Sequence, residues 1–169
     1  MPTIRNAREG EADLLTEIGL RAWAQAMGPI GGSEDLRVNA LDAFSYFTRY
    51  SWVTITVIEE TGVAAGWAAR EGLDETVTDF WIDPSFQRRG LGTALLRDIE
   101  RQILDQGLDI VRLQTHAQNS DAVSFFEKNG YAINWLSISY SPKLDQDVQS
   151  VGLSRWLVAA PSGEYGREF

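Results

Sequence analysis

The sequence contains no cysteine. Disulfides, thiolate nucleophiles and zinc–thiolate centres are therefore excluded. Histidine is almost missing: His116 is the only one in 169 residues. One imidazole among scattered carboxylates is not a ligand set, so no metal centre is expected. Positive charge is scarce. Lys plus Arg number 15 against 24 Asp plus Glu, a net charge of −9. Such a chain repels the phosphates of nucleic acid, which argues against that partner. It attracts cationic amines, and a polyanionic ligand would need a local basic patch. Long apolar runs are also missing. No window approaches the roughly 18 uninterrupted apolar residues that a membrane-spanning helix needs. The start, Met1-Pro2-Thr3-Ile4-Arg5, lacks the apolar run of a signal peptide. The expectation is a protein of the cytoplasm with no membrane contact.

What is present is an ordinary globular balance, 44% apolar and 23% charged residues. The length suits one domain, and a domain of this size hides roughly 70% of its unfolded surface. Residues 1–160 are read as that domain and 161–169 as a frayed C-terminal tail.

Periodicity divides the chain. Thr3 to Ala7 reads as a short strand. Glu11 to Met27 carries Leu14, Leu15, Ile18 and Ala22 at helical spacing, and Gly28-Pro29-Ile30-Gly31-Gly32 ends that helix. Ser33 or Asp35 caps a second helix, with Ala40, Phe44 and Phe47 on one face. Trp52 to Ile58 alternates as a strand, followed by turns into Val63–Arg70 and Thr76–Ile82, an antiparallel meander that Pro84 stops. Leu91, Leu95, Ile99 and Ile103 recur every four residues in a helix over Arg89–Gln106, with Gly107 as its stop. Ile110–His116 is a strand, Asn119-Ser120-Asp121 caps a short helix ending at Gly130, and Tyr131–Ser139 and Ser154–Ala159 are further strands. Hairpins first and helix–strand alternation later predict a mixed sheet covered by helices.

The most informative stretch opens the strongest helix. After the strand ending at Ile82 and a Pro-containing turn, Gln87-Arg88-Arg89-Gly90-Leu91-Gly92 sits at a helix start. The first-turn N–H groups have no internal partner and the helix dipole adds partial positive charge there. Gly90 and Gly92 lack a Cβ, so a ligand can approach the backbone. Arg88 and Arg89 supply the basic patch that the rest of the chain lacks. The arrangement suits phosphate or pyrophosphate. A Walker loop is absent, and Leu95 stands where a dinucleotide fingerprint has its third glycine.

This segment resembles the acyl-CoA signature of the GNAT superfamily of N-acetyltransferases, Gln/Arg-x-x-Gly-x-Gly/Ala. The resemblance extends upstream through Asp79-Phe80-Trp81-Ile82-Asp83-Pro84 and downstream through Thr93-Ala94-Leu95-Leu96. It resumes at Asn119, Ala122, Phe125, Phe126, Glu127, Lys128, Gly130 and Tyr131, and Gly66-Trp67 is similar to the usual third-strand pair. The implied fold is α/β (α+β mixed): a mostly antiparallel central sheet of six to seven strands, splayed between the fourth and fifth, flanked by about four helices. The implied activity over residues 1–160 is acetyl transfer from acetyl-CoA, a cosubstrate, to a primary amine of a small molecule or peptide. A non-catalytic acyl-CoA sensor is the alternative, and a nucleotide-binding phosphate loop a third reading. The family often dimerises, so a homodimer is compatible.

The resemblance also assigns residues. Backbone amides from Arg89 to Ala94, including those of Gly90, Leu91, Gly92 and Thr93, would hold the pyrophosphate, with Gln87 and Arg88 in the same loop. The strand edge at Trp81 and Ile82 would pair with pantetheine, Asn119 would hydrogen-bond it, and Phe125 and Phe126 would line the acyl-CoA channel. Family members often place a tyrosine acid where this chain has Phe126, which cannot donate a proton. Tyr131 and Tyr140 are the candidates to replace it. A lysine-like amine has a pKa near 10.4, so only about one molecule in a thousand is neutral at pH 7.4. A base therefore helps, and Asp79, Glu75 and His116 are the candidates. Asp79 alternates with Val77 and Trp81, which predicts one shared face. The acceptor side is expected to involve Trp23, Met27, the loop 28–32, Phe44, Tyr46 and Trp135, since aromatic walls bind cations.

Overall fold

The computed structural model describes residues 2–28, 34–141 and 145–158. β1 (Pro2–Asn6) precedes two long helices, α1 (Ala12–Met27) and α2 (Glu34–Tyr50). Four strands follow: β2 (Ile55–Glu60), β3 (Val63–Ala69), β4 (Thr76–Val77) and β5 (Asp79–Ile82). Then come α3 (Leu91–Asp105), β6 (Ile110–His116), α4 (Ser120–Lys128), β7 (Ala132–Ser141) and β8 (Gln146–Trp156). The described strands form two four-stranded sheets, ordered β1-β2-β3-β5 and β4-β6-β8-β7. Every pairing is antiparallel except β4 with β6, where Thr76 lies opposite Arg112 and Val77 opposite Leu113. The expected mixed sheet with four helices is present. Among the described residues there are eight strands in two sheets, instead of one sheet of six or seven.

The additional strand arises at Thr78. Its N–H and Oγ1 both donate to the Ala69 carbonyl, at 2.9 and 3.1 Å. The ladder breaks there: β4 belongs to the second sheet and β5 to the first. The break also shifts the alternation. Val77 packs into the cluster around Leu95 and Ile99, whereas Trp81 packs toward Phe44 and Trp67. The expectation that Val77, Asp79 and Trp81 share a face thus holds only for the last two, and the Trp81 indole donates to Asp79 Oδ1 at 3.0 Å. Beyond Thr78, β5 and β6 diverge, and the outer edge of β5 has no strand partner among the described residues.

Two apolar clusters hold the layers. Ile55 and Val57 of β2 meet Leu15, Ile18, Trp23 and Phe44 of α1 and α2. Ile58 faces the other way, toward the α3 stripe Leu91, Leu95, Ile99 and Ile103. Each such side chain contributes about 1.5–3 kcal/mol on full burial. The buried Trp67 indole is satisfied by the Leu15 carbonyl at 2.9 Å. Two strand boundaries differ from the periodicity. Trp52–Thr54 is a 3-10 turn, because Thr54 N–H and Oγ1 both donate to the Ser51 carbonyl, at 3.0 and 2.7 Å. The last strand begins at Gln146, well before Ser154, since its polar first half pairs with β7. Ser33, Ala159 and the tail lie outside the described residues. Among the described residues no helix is long and apolar enough to cross a membrane.

Two buried carboxylates tie the elements together. Glu100 of α3, 4% exposed, accepts from Tyr131 Oη at 2.7 Å, from Arg155 of β8 at 2.8 Å and from Arg97 at 2.8 and 2.9 Å. Asp83, 5% exposed, follows β5. It accepts from Arg21 of α1 at 2.6 Å and from Ser85 N–H and Oγ at 3.1 and 2.9 Å. Burial pushes its carboxyl up, but the Arg21 guanidinium and the Ser85 donors outweigh this and hold it below the ordinary aspartate value. Its stabilising contribution is therefore present at neutral pH and lost as pH falls below about 4. Because Arg21 is half-exposed, Asp83→Asn is expected to cost only about 1–3 kcal/mol at pH 7. Urea denaturation should show that deficit at pH 7 and a smaller one near about pH 3.

Candidate active site

Asp83 caps a short turn, Pro84–Phe86, and the chain then crosses to α3 through Gln87–Gly90. Gln87 Nε2 donates to the Ile82 carbonyl at 3.3 Å, holding this loop against the end of β5. Arg88 (φ 64°) and Gly90 (φ 78°) are both left-handed. Gly90 is the N-cap of α3 and has no side chain to cap it. The N–H groups of Leu91, Gly92 and Thr93 therefore lack an intrahelical partner. The Ala94 N–H closes the first helical bond onto the Gly90 carbonyl at 3.1 Å. The donor run expected to reach Ala94 ends at Thr93. Successive N–H groups beside left-handed residues form an anion-binding concavity, and no acidic residue lies in the first turn.

The two arginines differ. Arg89 pairs with Glu60 at 3.4 Å, and its guanidinium lies 5.4 Å from the Phe86 ring centroid. Arg88 is exposed and has no ion-pair partner among the described residues. The glycines differ too. Gly90 supplies the left-handed turn, whereas a Cβ on Gly92 would lie 3.2 Å from the Phe125 ring. Gly92 thus makes room for Phe125, a packing role that the bare-backbone reading did not include.

Beside this loop lies the outer side of β5, with Trp81 and Ile82 at its end; no strand pairs with it among the described residues. Phe125 is half-buried, with ring centroids 5.8 Å from Phe80 and 5.1 Å from Phe126. Phe126 is 5% exposed and sits between Phe80 and Tyr131, each at 5.6 Å. It belongs to the core; only Phe125 reaches toward the loop. Asn119 caps α4, its side-chain oxygen accepting from Ala122 N–H at 3.3 Å.

A cleft of about 1070 Å³ opens between α1 and α2 on one side and the diverging strands on the other. It brings Asp79, His116 and Asn119 together, with Trp23, Phe44 and Trp81 in its walls. Met27 and Tyr46 also line it. Tyr131 does not: its phenol is buried against Glu100, and burial followed by that hydrogen bond raises its pKa far above the ordinary tyrosine value. Tyr140 does line the cleft. Its hydroxyl donates to Asp145 at 2.5 Å, which raises the phenol pKa and keeps it protonated. Trp135 lies elsewhere, over Gly152 and in a smaller cavity of about 340 Å³. Of the loop 28–32 only Gly28 is among the described residues. Asn39, Asp42, Ala43 and Tyr46 form one stripe of α2 facing the cleft. Their i, i+3, i+4, i+7 spacing was visible in the sequence, but a polar helical stripe ordinarily faces solvent. Among the described residues no three His, Asp or Glu side chains are grouped to hold a metal ion.

The model of the acetyltransferase (GNAT) family matches residues 19–131. The [ribosomal protein bS18]-alanine N-acetyltransferase of Escherichia coli K12 is 32% identical over 74 residues, 43% of this chain and 50% of that enzyme. The match thus spans about half the length of such curated relatives. A GCN5-related N-acetyltransferase from Rhodopseudomonas palustris superposes with a TM-score of 0.77 at 18% identity, covering 93% of this chain and 96% of that one. PaiA N-acetyltransferase from Thermoplasma acidophilum, in complex with coenzyme A, gives 0.76 at 17% identity, covering 92% and 99%. At these identities the two structures share the fold. With the family model covering most of the chain, this protein belongs to the GNAT acetyltransferase family.

Proposed function

We propose that residues 1–160 act as one N-acyltransferase domain that moves an acetyl group from acetyl-CoA to a primary amine held in the same complex. The observation that carries this reading is the run of amides at Leu91–Thr93, which have no intrahelical partner, with Arg88 beside it, next to the end of β5, whose outer side has no strand partner among the described residues. Amides and arginine fit a pyrophosphate, and the outer side of a sheet's last strand fits an extended amide-bearing arm. Acetyl-CoA supplies the acetyl group as a thioester. The amine nitrogen attacks the carbonyl carbon, the C–N bond forms and the C–S bond breaks. The ammonium proton goes to Asp79 or His116, directly or through water, and the departing sulfur takes a proton from Tyr140. All three side chains line the one cleft. Tyr131, which immediately precedes β7, serves to hold that segment to α3 through Glu100.

Titration calorimetry with acetyl-CoA, followed by a thiol-release assay with pooled amines, tests the reading: saturable binding and amine-dependent release are expected. Arg88→Glu should weaken binding about tenfold or more with an unchanged melting temperature. Tyr140→Phe should lower kcat about tenfold to a hundredfold, while Tyr131→Phe should lower stability by about 1–2 kcal/mol and leave kcat unchanged.

A second reading, an acyl-CoA-binding module without turnover, is favoured by Phe126, whose buried ring cannot protonate a leaving group. It predicts binding with no thiol release from any amine.

The chain also has the means to pair with itself. β7 is an edge strand of the second sheet, Leu136 and Ile138 are exposed on it, and Ala132–Ser141 contains no charged residue. Edge strands usually carry charge or proline against such pairing. Two copies of β7 can meet antiparallel about a twofold axis without opposing like charges, despite the net −9. Sedimentation should give a dimer, and Ile138→Lys a monomer.

A further inference from the structure

The smaller cavity, of about 340 Å³, lies on the second sheet, β4-β6-β8-β7. Strand register fixes what stands there. Thr76 lies opposite Arg112, and Arg112 opposite Ser154; in the next row Gln114 lies opposite Gly152, and Gly152 opposite Trp135. Residues directly opposite share a face. Arg112, Gln114 and Trp135 thus stand together on the outer face, while Leu113 and Leu153 point the other way and pack with the α3 stripe. Trp135 reaches that face through an irregularity. Strict alternation from Ile133, which opposes Leu153, would turn Trp135 inward. The bulge between Ile133 and Trp135 inserts Asn134 and turns the indole outward. Gly152 then makes room for it, since any Cβ there would collide with the indole ring. The glycine is buried beneath a tryptophan that is itself 42% exposed.

The protein itself uses neither large group. The exposed Arg112 guanidinium has no ion pair, hydrogen bond or ring contact among the described residues. No Asp or Glu lines the cavity among the described residues, in a chain that has 24 of them. The remaining polar side chains in its wall are neutral, and the Asn134 amide is already engaged, donating to Ser154 Oγ at 2.5 Å. A guanidinium holds its five N–H donors in a fixed plane, which suits a carboxylate taken through two parallel bonds. The open face of an indole suits a flat ring. We propose that this cavity binds a small aromatic carboxylate, its ring on Trp135 and its charge on Arg112. β6 and β7 lie two strand spacings apart, roughly 10 Å, and the indole is laid over Gly152 on the strand between them. One compact ligand therefore touches both groups. The volume of about 340 Å³ lies near the lower end of the roughly 300–1,000 Å³ of small-ligand pockets. Asp79, His116, Arg88 and the amides of Leu91–Thr93 do not line this cavity; Thr78 and Gln114 line both it and the larger cleft. The inference thus stands or falls separately from the acyl-transfer reading.

The test is titration calorimetry on the full chain with three probes: benzoate, its uncharged amide benzamide, and acetate, which keeps the charge and lacks the ring. Benzoate should bind at one site per chain, about tenfold more tightly than benzamide and several-fold more tightly than acetate. Added salt should erode the first preference and not the second. Arg112→Gln should abolish the preference for benzoate over benzamide at an unchanged melting temperature, and Arg112→Lys, which keeps the charge without the planar fork, should retain part of it. Trp135→Leu should abolish the preference for benzoate over acetate. Excess coenzyme A should leave benzoate binding unchanged. No benzoate binding, equal affinity for benzoate and benzamide, or equal affinity for benzoate and acetate overturns the inference. So does a preference that survives Arg112→Gln, or benzoate displaced by coenzyme A. Each of these results leaves acetyl-CoA binding and amine-dependent thiol release as they were, so the acyl-transfer reading is judged on its own assay.

Discussion

The structure depends on one interruption, the loss of pleat at Thr78, where a single extended stretch is divided between two sheets. On one side of it, β4 pairs parallel with β6; on the other, β5 pairs antiparallel with β3. A sheet closed across this point would have no gap. The change of allegiance produces the opening between β5 and β6, leaves the outer side of β5 without a strand partner among the described residues, and turns Asp79 and Trp81 toward the cleft while Val77 stays under α3. The same stretch then leads through Asp83 into the loop before α3, so both halves of the proposed site hang from it.

A chain with a net charge of −9 that binds a polyanion in one place and a cation in another must separate its charges in space. The fold does this with few cations. Arg21 and Arg155 are each bound to a buried carboxylate, Asp83 and Glu100, where they hold α1 to the turn after β5 and α3 to β8. Arg89 is partly engaged by Glu60. Arg88 is left exposed beside the unpartnered amides. The cleft beyond the β5 edge carries Asp42, Glu71, Asp79 and Asp145. The two reactants proposed for acyl transfer, one rich in phosphate and one cationic, thus meet surfaces of opposite sign at their junction.

Much of the site was legible because it is local. The α3 stripe, the anion loop at its start and the Asn119 cap each lie within a few consecutive residues, and their patterns follow from backbone geometry alone. What was misread depended on partners far away in sequence. Thr78 reads as one more residue of a strand until the Ala69 carbonyl captures its N–H and hydroxyl. Phe126 and Phe125 are equivalent in the sequence, but Phe126 fills the space against Tyr131 and Phe80 while Phe125 covers Gly92. Tyr131 and Tyr140 stood level as proton donors until Glu100 claimed one and the cleft the other.

By itself the sequence determined the family, most of the order of helices and strands and the glycine loop that opens α3, since hydrophobic period and helix-start glycines are properties of short segments. Only the tertiary structure decided which side chains share the cleft. Asp42, Glu71, Asp79, His116, Tyr140 and Asp145 come from α2, β5 and the ends of β3, β6, β7 and β8. No local pattern encodes their meeting, because it results from the packing of two helices against a sheet split at Thr78.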